Sequence, residues 1–225
     1  PSAIVIETPQ KEKSISEVVE KWRPRMGHIY CFFNYPDSSE DYQSLGSGTI
    51  FKLGRETYIF TNKHVVTDTR GFGPIYCTAL FPDNPNSYKF YNSEGGIWVY
   101  DRLDFAGLYL TYQDDYTKKI NSSTESCKTK AQIGDNIVIL GYPSIGSQND
   151  ITVTEGIVSG YEGDFYITSA KVEHGNSGGA AILVKDNCYL GIPTYVDSGS
   201  LESLARILDM NVVYQSVIDK VNAQK

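Results

Sequence analysis

Gly175-Asn176-Ser177-Gly178-Gly179 sets a serine among three glycines. Such a segment carries its hydroxyl on a tight turn, because glycine adopts backbone angles closed to other residues and lets a second chain approach closely. A glycine-rich hairpin holding an ordinary serine would read the same way, since short Gly/Ser motifs recur by accident. Two further segments weigh against that plainer reading. Thr61-Asn62-Lys63-His64-Val65-Val66 places a histidine just after the apolar run Tyr58-Ile59-Phe60, and Asp104-Phe105-Ala106 lies between the histidine and the serine. A hydroxyl, an imidazole to take its proton and a carboxylate to set the tautomer of that imidazole are the parts that nucleophilic acyl transfer requires. Ser177, His64 and Asp104 are the candidates, and the turn Gly175, Asn176, Ser177 is the candidate oxyanion hole, with the N–H groups of Gly175 and Ser177 as donors.

Each has a competitor. His28 and His174 are the other histidines; His28 sits inside a strand-like run, and His174 is three residues before the serine on the same turn, a position that points it elsewhere. Asp101 competes with Asp104. The apolar run Phe105-Ala106-Gly107-Leu108 favours Asp104, because it buries a carboxylate at a strand start and directs its charge at one imidazole nitrogen.

The remaining composition describes a folded, mostly β chain. In 225 residues, 40% are hydrophobic and 21% charged, ordinary values for a globular protein. Seventeen tyrosines favour strands and half-buried edges. A net charge of −7 argues against a nucleic-acid partner, because phosphate binding needs concentrated Lys and Arg, and only short basic spots such as Arg23-Pro24-Arg25 and Lys118-Lys119 occur. No apolar run approaches the roughly 20 residues that span a bilayer. The first residues, Pro1-Ser2-Ala3, lack the pattern of a leader and do not begin with Met, which suggests a processed or trimmed chain and leaves the compartment open at this point. Cys31, Cys77, Cys127 and Cys188 form no CxxC pair and the chain has no HxxxH, so a metal site has little support. Four cysteines permit three pairings or four free thiols; for Cys31 and Cys77, in apolar strand-like segments, a plain core thiol is the better reading.

Periodicity then divides the chain. Ser14-Ile15-Ser16-Glu17 has capping-box spacing, and Ile15, Val18, Val19 and Trp22 follow at helical intervals until Pro24, so residues 1–25 are an N-terminal segment with a short helix. Short β-type runs at 28–33, 48–53, 57–60, 75–81, 97–100 and 105–110 make one six-stranded barrel within 26–113. The polar stretch 114–130 reads as a linker. A second barrel within 131–205 is built from runs at 136–140, 151–159, 164–170, 180–184 and 189–195, and helical spacing from Met210 to Val221, through Val213 and Val217, gives a C-terminal helix in the closing segment 206–225.

With these residues in hand, the chain resembles the trypsin-like fold, and within it the HtrA (Deg) type of bacterial serine protease. The segments Gly46-Ser47-Gly48-Thr49-Ile50 with Tyr58 to Val66, Asp104-Phe105-Ala106, Gly134-Asp135 through Gly141-Tyr142-Pro143, Thr154-Glu155-Gly156-Ile157-Val158-Ser159, and His174 to Ala180 match in the family's order over roughly residues 14 to 221. The His, Asp, Ser order is that of the chymotrypsin-like fold, unlike subtilisin-like or α/β-hydrolase enzymes. The resemblance implies an all-β chymotrypsin-like fold of two six-stranded antiparallel barrels with the triad between them. It also implies peptide-bond hydrolysis through an acyl-enzyme without metal or organic cofactor, and export to the cell envelope, periplasm or exterior. Asn176 stands where pancreatic-type enzymes carry an aspartate for a newly cut N-terminus, so activation by propeptide cleavage is not implied. Thr194, Tyr195 and Val196 would wall the specificity pocket, with Lys171 or Val172 near its base and His174 grouped with the substrate-binding residues. A narrowing Val196 would favour small aliphatic residues and an inward Lys171 acidic ones. No peptide-binding PDZ module follows within these residues, and 67–100 departs from the family pattern. Protein or peptide substrates are the implied partners, with a homo-oligomer or regulatory partner left open.

Three functions compete on these residues. The first is an active endopeptidase acting on unfolded or exposed protein segments. A catalytically latent binding or scaffolding protein would keep the triad behind a collapsed oxyanion turn. An esterase would use the same triad on short esters but not on peptides.

Overall fold

The computed structural model describes residues 13–34, 41–53, 56–120, 125–145, 149–194 and 204–223. Helix α1 (Ile15–Trp22) begins at Ser14, whose hydroxyl accepts from the Glu17 N–H while the Glu17 carboxylate accepts from the Ser14 N–H, the capping box read from the sequence. Then come β1 (Met26–Phe33), β2 (Tyr42–Leu53), β3 (Glu56–Thr61), β4 (Tyr76–Leu80), β5 (Ser87–Tyr91), β6 (Ile97–Tyr100) and β7 (Phe105–Tyr109). They form one antiparallel sheet in the order β5-β4-β1-β2-β3-β7-β6. Alternation puts Ile29, Cys31 and Phe33 of β1 inside, against Ile50, Ile59, Phe90 and Leu108.

This first unit corrects the expected six-stranded barrel: it is a curled, seven-stranded half-barrel. The additional strand, β5, is an edge with only Phe90 buried, too little apolar alternation to be read. The expected linker contains helix α2 (Asp115–Ile120). Its Tyr116 hydroxyl donates to the carbonyls of Pro24 and Pro82 at 2.9 and 2.7 Å, tying the connection to the first unit.

The second unit is a closed six-stranded barrel of β8 (Asn136–Gly141), β9 (Thr152–Glu162), β10 (Phe165–Thr168), β11 (Ala180–Leu183), β12 (Cys188–Thr194) and β13 (Ala205–Asp209), followed by α3 (Met210–Ala223). The helix begins at Met210, where its spacing was read, and the residues before it that the sequence placed in the same C-terminal segment form strand β13 instead. Its pattern is compressed because Ala205 and Ile207 fill the barrel while Leu208 fills a different core.

That core lies between the units. It gathers Phe51, Phe60 and Phe105 from the first, Val138, Leu140, Tyr189 and Leu208 from the second, and Val18, Trp22 and Val213 from the helices. Trp22 is fully buried, and its indole N–H donates to Asn187 Oδ1 at 2.8 Å on the β11–β12 turn. Helix α1 thus precedes the first unit but packs onto the second. Arg23 adds a bridge, pairing with Asp83 of the first unit and with Asp150 of the second at 2.8 Å.

All four cysteines are paired, which overturns the reading of Cys31 and Cys77 as core thiols. Those two stand directly opposite in the β1–β4 register, 4.0 Å apart at Cα, and are bonded. Register between strands 46 residues apart is invisible in a local pattern. Cys127–Cys188 fastens the connection to β12, beside reciprocal backbone bonds between Cys127, Tyr189 and Glu125.

Two stability consequences are measurable. Trp22→Ala should lose about 3–5 kcal/mol in urea unfolding; a loss near that of an exposed substitution would show that the helix is dispensable. Burial is the largest influence on Asp114 and pushes its carboxyl up, but bonds from the Thr117 N–H, the Tyr88 hydroxyl, the Thr117 hydroxyl and the Asn86 amide outweigh it and bring it down to about 2. A depressed carboxylate contributes stability above its unfolded value of about 3.9, lost as pH falls through the folded one. The advantage of wild type over Asp114→Asn should therefore hold at pH 5 and above and shrink between about pH 4 and 2, whereas a pH-independent difference would remove Asp114 from this role.

Candidate active site

At the end of β3 the chain turns through one short 3-10 turn, Lys63–Val65, with Val65 and Val66 buried in the first core. Those valines hold the backbone so that the His64 side chain stands half exposed. Pairing of β3 with β7 sets Thr61 opposite Ala106, which brings the turn before β7, and Asp104 with it, alongside. Asp104 Oδ2 lies 2.8 Å from His64 Nδ1, and Oδ1 accepts the His64 backbone N–H at 3.0 Å. A carboxylate only accepts, so this contact selects the tautomer with its proton on Nδ1, the one that leaves the Nε2 lone pair available. Asp101 is an exposed turn residue.

Sequence reading missed the support for this pair. Asn62, fully buried, donates its amide to the Asp104 carbonyl and to Thr194 Oγ1, each at 2.9 Å, joining the aspartate turn to β12 of the other unit. Its neighbours in Thr61-Asn62-Lys63-His64 were the available signal, but an asparagine before a 3-10 turn reads first as a cap.

Ser177 is 4% exposed and shares a cavity of about 470 Å³ with His64; its lining includes Leu45, Tyr142 and His174. The serine turn depends on glycine where predicted. Gly175 has φ 95°, and a Cβ there would lie 2.3 Å from the Tyr142 carbonyl; Gly178 has φ 85°, and a Cβ would lie 2.2 Å from the Ser47 carbonyl and the Thr61 hydroxyl. Four carbonyls of the turn have donors: His174 from Ser144 N–H at 2.8 Å, Gly175 from Ser47 Oγ at 2.6 Å, Asn176 from Gly179 N–H at 3.0 Å, and Ser177 from Ser47 N–H at 2.8 Å. In a trans peptide N–H and C=O point opposite ways. The Gly175 and Ser177 N–H groups therefore point away from Ser144 and Gly179. Asn176 N–H instead donates to the Glu173 carbonyl at 3.0 Å, so Asn176 is removed from the oxyanion-hole set of the sequence reading.

The substrate-binding candidates divide. His174 lines the cavity, and Thr194 is held by Asn62. Lys171 is exposed, while Val172 is buried in the second barrel's core, so neither lines this cavity. Tyr195 and Val196 lie outside the described residues. His28 is 5% exposed, stacks on Tyr142 at 4.7 Å and has Nδ1 2.9 Å from the Tyr30 hydroxyl, so it is a wall of the cavity.

A curled half-barrel and a closed barrel joined through one core, with a Ser, a His and an Asp collected where they meet, define the chymotrypsin-like class of architecture. The chain belongs to the trypsin-like peptidase domain family, whose model matches residues 46–192. It is 31% identical over 182 residues, covering 75% of this chain and 33% of the relative, to a probable periplasmic serine endoprotease, DegP-like, of Chlamydia pneumoniae. It is 25% identical over 202 residues, 82% of this chain and 24% of the relative, to a serine protease HtrA-like of Staphylococcus aureus. The chain thus spans a quarter to a third of these curated relatives. In structure it is similar to the serine endoprotease of Yersinia pestis (TM-score 0.68, 23% identity, 93% of this chain and 67% of that one). It is likewise similar to an HtrA-type protease with a tripeptide (TM-score 0.69, 21% identity, 90% and 62%). These neighbours bear out the chymotrypsin-like fold.

Because an added Cβ at Gly178 meets backbone and a buried hydroxyl together, Gly178→Ala should displace the serine turn. Activity on any ester or peptide that the protein cleaves should fall at least about 100-fold, on the scale of losing an oxyanion donor, with near-native far-UV circular dichroism; retained activity would show that the turn tolerates a side chain.

Proposed function

We propose that the protein is a serine endopeptidase in which Ser177 is the nucleophile, His64 the general base and acid, and Asp104 the group that orients His64. The observation that carries the reading is the 2.8 Å contact of Asp104 Oδ2 with His64 Nδ1 beside a cavity that His64 shares with Ser177. In the reaction, His64 Nε2 takes the Ser177 hydroxyl proton as Oγ attacks the scissile carbonyl. The N–H groups of Gly175 and Ser177 stabilise the oxyanion of the tetrahedral intermediate. His64 returns the proton to the leaving amine, leaving an acyl-enzyme that water, deprotonated by the same imidazole, hydrolyses. Proton and electron counts close on side chains and water.

The alternative of a latent binding protein requires a closed oxyanion turn. Support for the open form comes from the His174 carbonyl, held back by Ser144 N–H instead of filling the space before Gly175. Substrates are exposed or unfolded protein segments. Two disulfides support an oxidising compartment outside the cytosol, in keeping with the periplasmic designation of the Chlamydia pneumoniae relative.

A fluorescent fluorophosphonate should label wild type and neither Ser177→Ala nor His64→Ala, and unfolded casein should be cleaved by wild type alone. Absence of labelling in the wild type would falsify the reading of a competent centre; labelling with ester but no peptide cleavage would replace it with an esterase.

A further inference from the structure

Ser47 is fully buried in β2 and lines no part of the cavity, yet it is bonded to both parts of the serine turn. Its N–H donates to the Ser177 carbonyl at 2.8 Å, its hydroxyl donates to the Gly175 carbonyl at 2.6 Å and accepts the Tyr142 N–H at 2.7 Å, and its carbonyl accepts the Thr61 hydroxyl at 2.7 Å. One residue of the first unit therefore holds the nucleophile turn of the second and the strand end beside it.

We propose, on the basis of the peptidase reading above, that Ser47 is a positioning residue that keeps the oxyanion hole open. Gly175 is the weak point of the turn, because a glycine at φ 95° has no side chain to resist rotation. Its orientation is set by the two peptide planes around it. The plane after it is pinned by Ser47 Oγ at the Gly175 carbonyl, and the plane before it by Ser144 N–H at the His174 carbonyl. Ser47 also reaches the second pin, since its hydroxyl anchors Tyr142 N–H two residues before Ser144. Removal of the hydroxyl leaves the Gly175 carbonyl and the Tyr142 N–H without this partner, and the donor at Gly175 drifts from the direction in which charge develops. No side chain that lines the cavity is altered, so the loss falls on the transition state rather than on substrate binding.

The test uses a valine-terminated peptidyl trifluoromethyl ketone, carbon-13 labelled at the carbonyl, whose hemiketal with Ser177 mimics the tetrahedral oxyanion. The pKa of that hemiketal, read by NMR, reports the hole directly. Ser47→Ala should raise it by about one unit and lower kcat about tenfold, about 1.4 kcal/mol, with KM within about twofold. Ser144→Pro, which takes the backbone N–H away from the His174 carbonyl and also exchanges an exposed side chain at the edge of the cavity, should shift the hemiketal the same way and keeps the test available if Ser47→Ala does not fold. A Ser47→Ala protein with a lower urea midpoint but the wild-type hemiketal pKa has lost packing alone, and the proposal fails; so does an unshifted Ser144→Pro. Failure of the wild type to form any hemiketal would instead bring down the peptidase reading itself.

Discussion

The site depends on the apolar layer shared by the two β units. Trp22, Phe51, Phe60, Phe105, Tyr189 and Leu208 come from separate parts of the chain and exclude water together. Burial of this kind is non-directional, so by itself it would permit the units to slide. The polar bonds across the boundary give it a register: Asn62 to Thr194, Ser47 to Gly175 and Ser177, and Arg23 to Asp83 and Asp150. Apolar area supplies the attraction, and a few hydrogen bonds in a low-dielectric interior supply the alignment.

Reactive groups follow from that alignment. His64 and Asp104 belong to one sheet, and their contact is a local consequence of β3 pairing with β7. Ser177 belongs to the other unit and shares a cavity with His64 because the units are docked. The serine turn has no regular strand to stabilise it, so its conformation rests on glycines that clear the backbone and on donors that hold its carbonyls. Half of those donor bonds originate in the first unit, at Ser47. Folding and docking are therefore coupled at this turn.

The legibility of the chain followed the strength of its local signals. Helix α1 was plain because its cap and apolar stripe fall within one short segment, and His64, Asp104 and Ser177 stood out as candidates because each sits in a short motif. Strand β5 was missed as a sparsely buried edge, and β13 because its two faces feed two different cores. Closure differed as well: the second unit closes, whereas the first stays a curled sheet of seven strands. The pairing of Cys31 with Cys77 depends on strand register, and the placement of Lys171 outside and Val172 inside on which way one turn faces.

By itself the sequence determined that the chain is all-β, that a serine, a histidine and an aspartate stand in catalytic order, and that glycines must surround the serine. Composition, alternation and steric freedom are local properties that a linear string carries. Only the tertiary structure decided which N–H groups point away from their turn, why Asn176 is not among them, and that Asn62, Ser47 and Ser144 hold the arrangement. Those outcomes depend on the direction of individual peptide planes, which is set in part by bonds within the turn itself, Gly179 to Asn176 and Asn176 to Glu173, and in part by donors as far away in the chain as Ser47 and Asn62, and distance along the chain says nothing about direction in space.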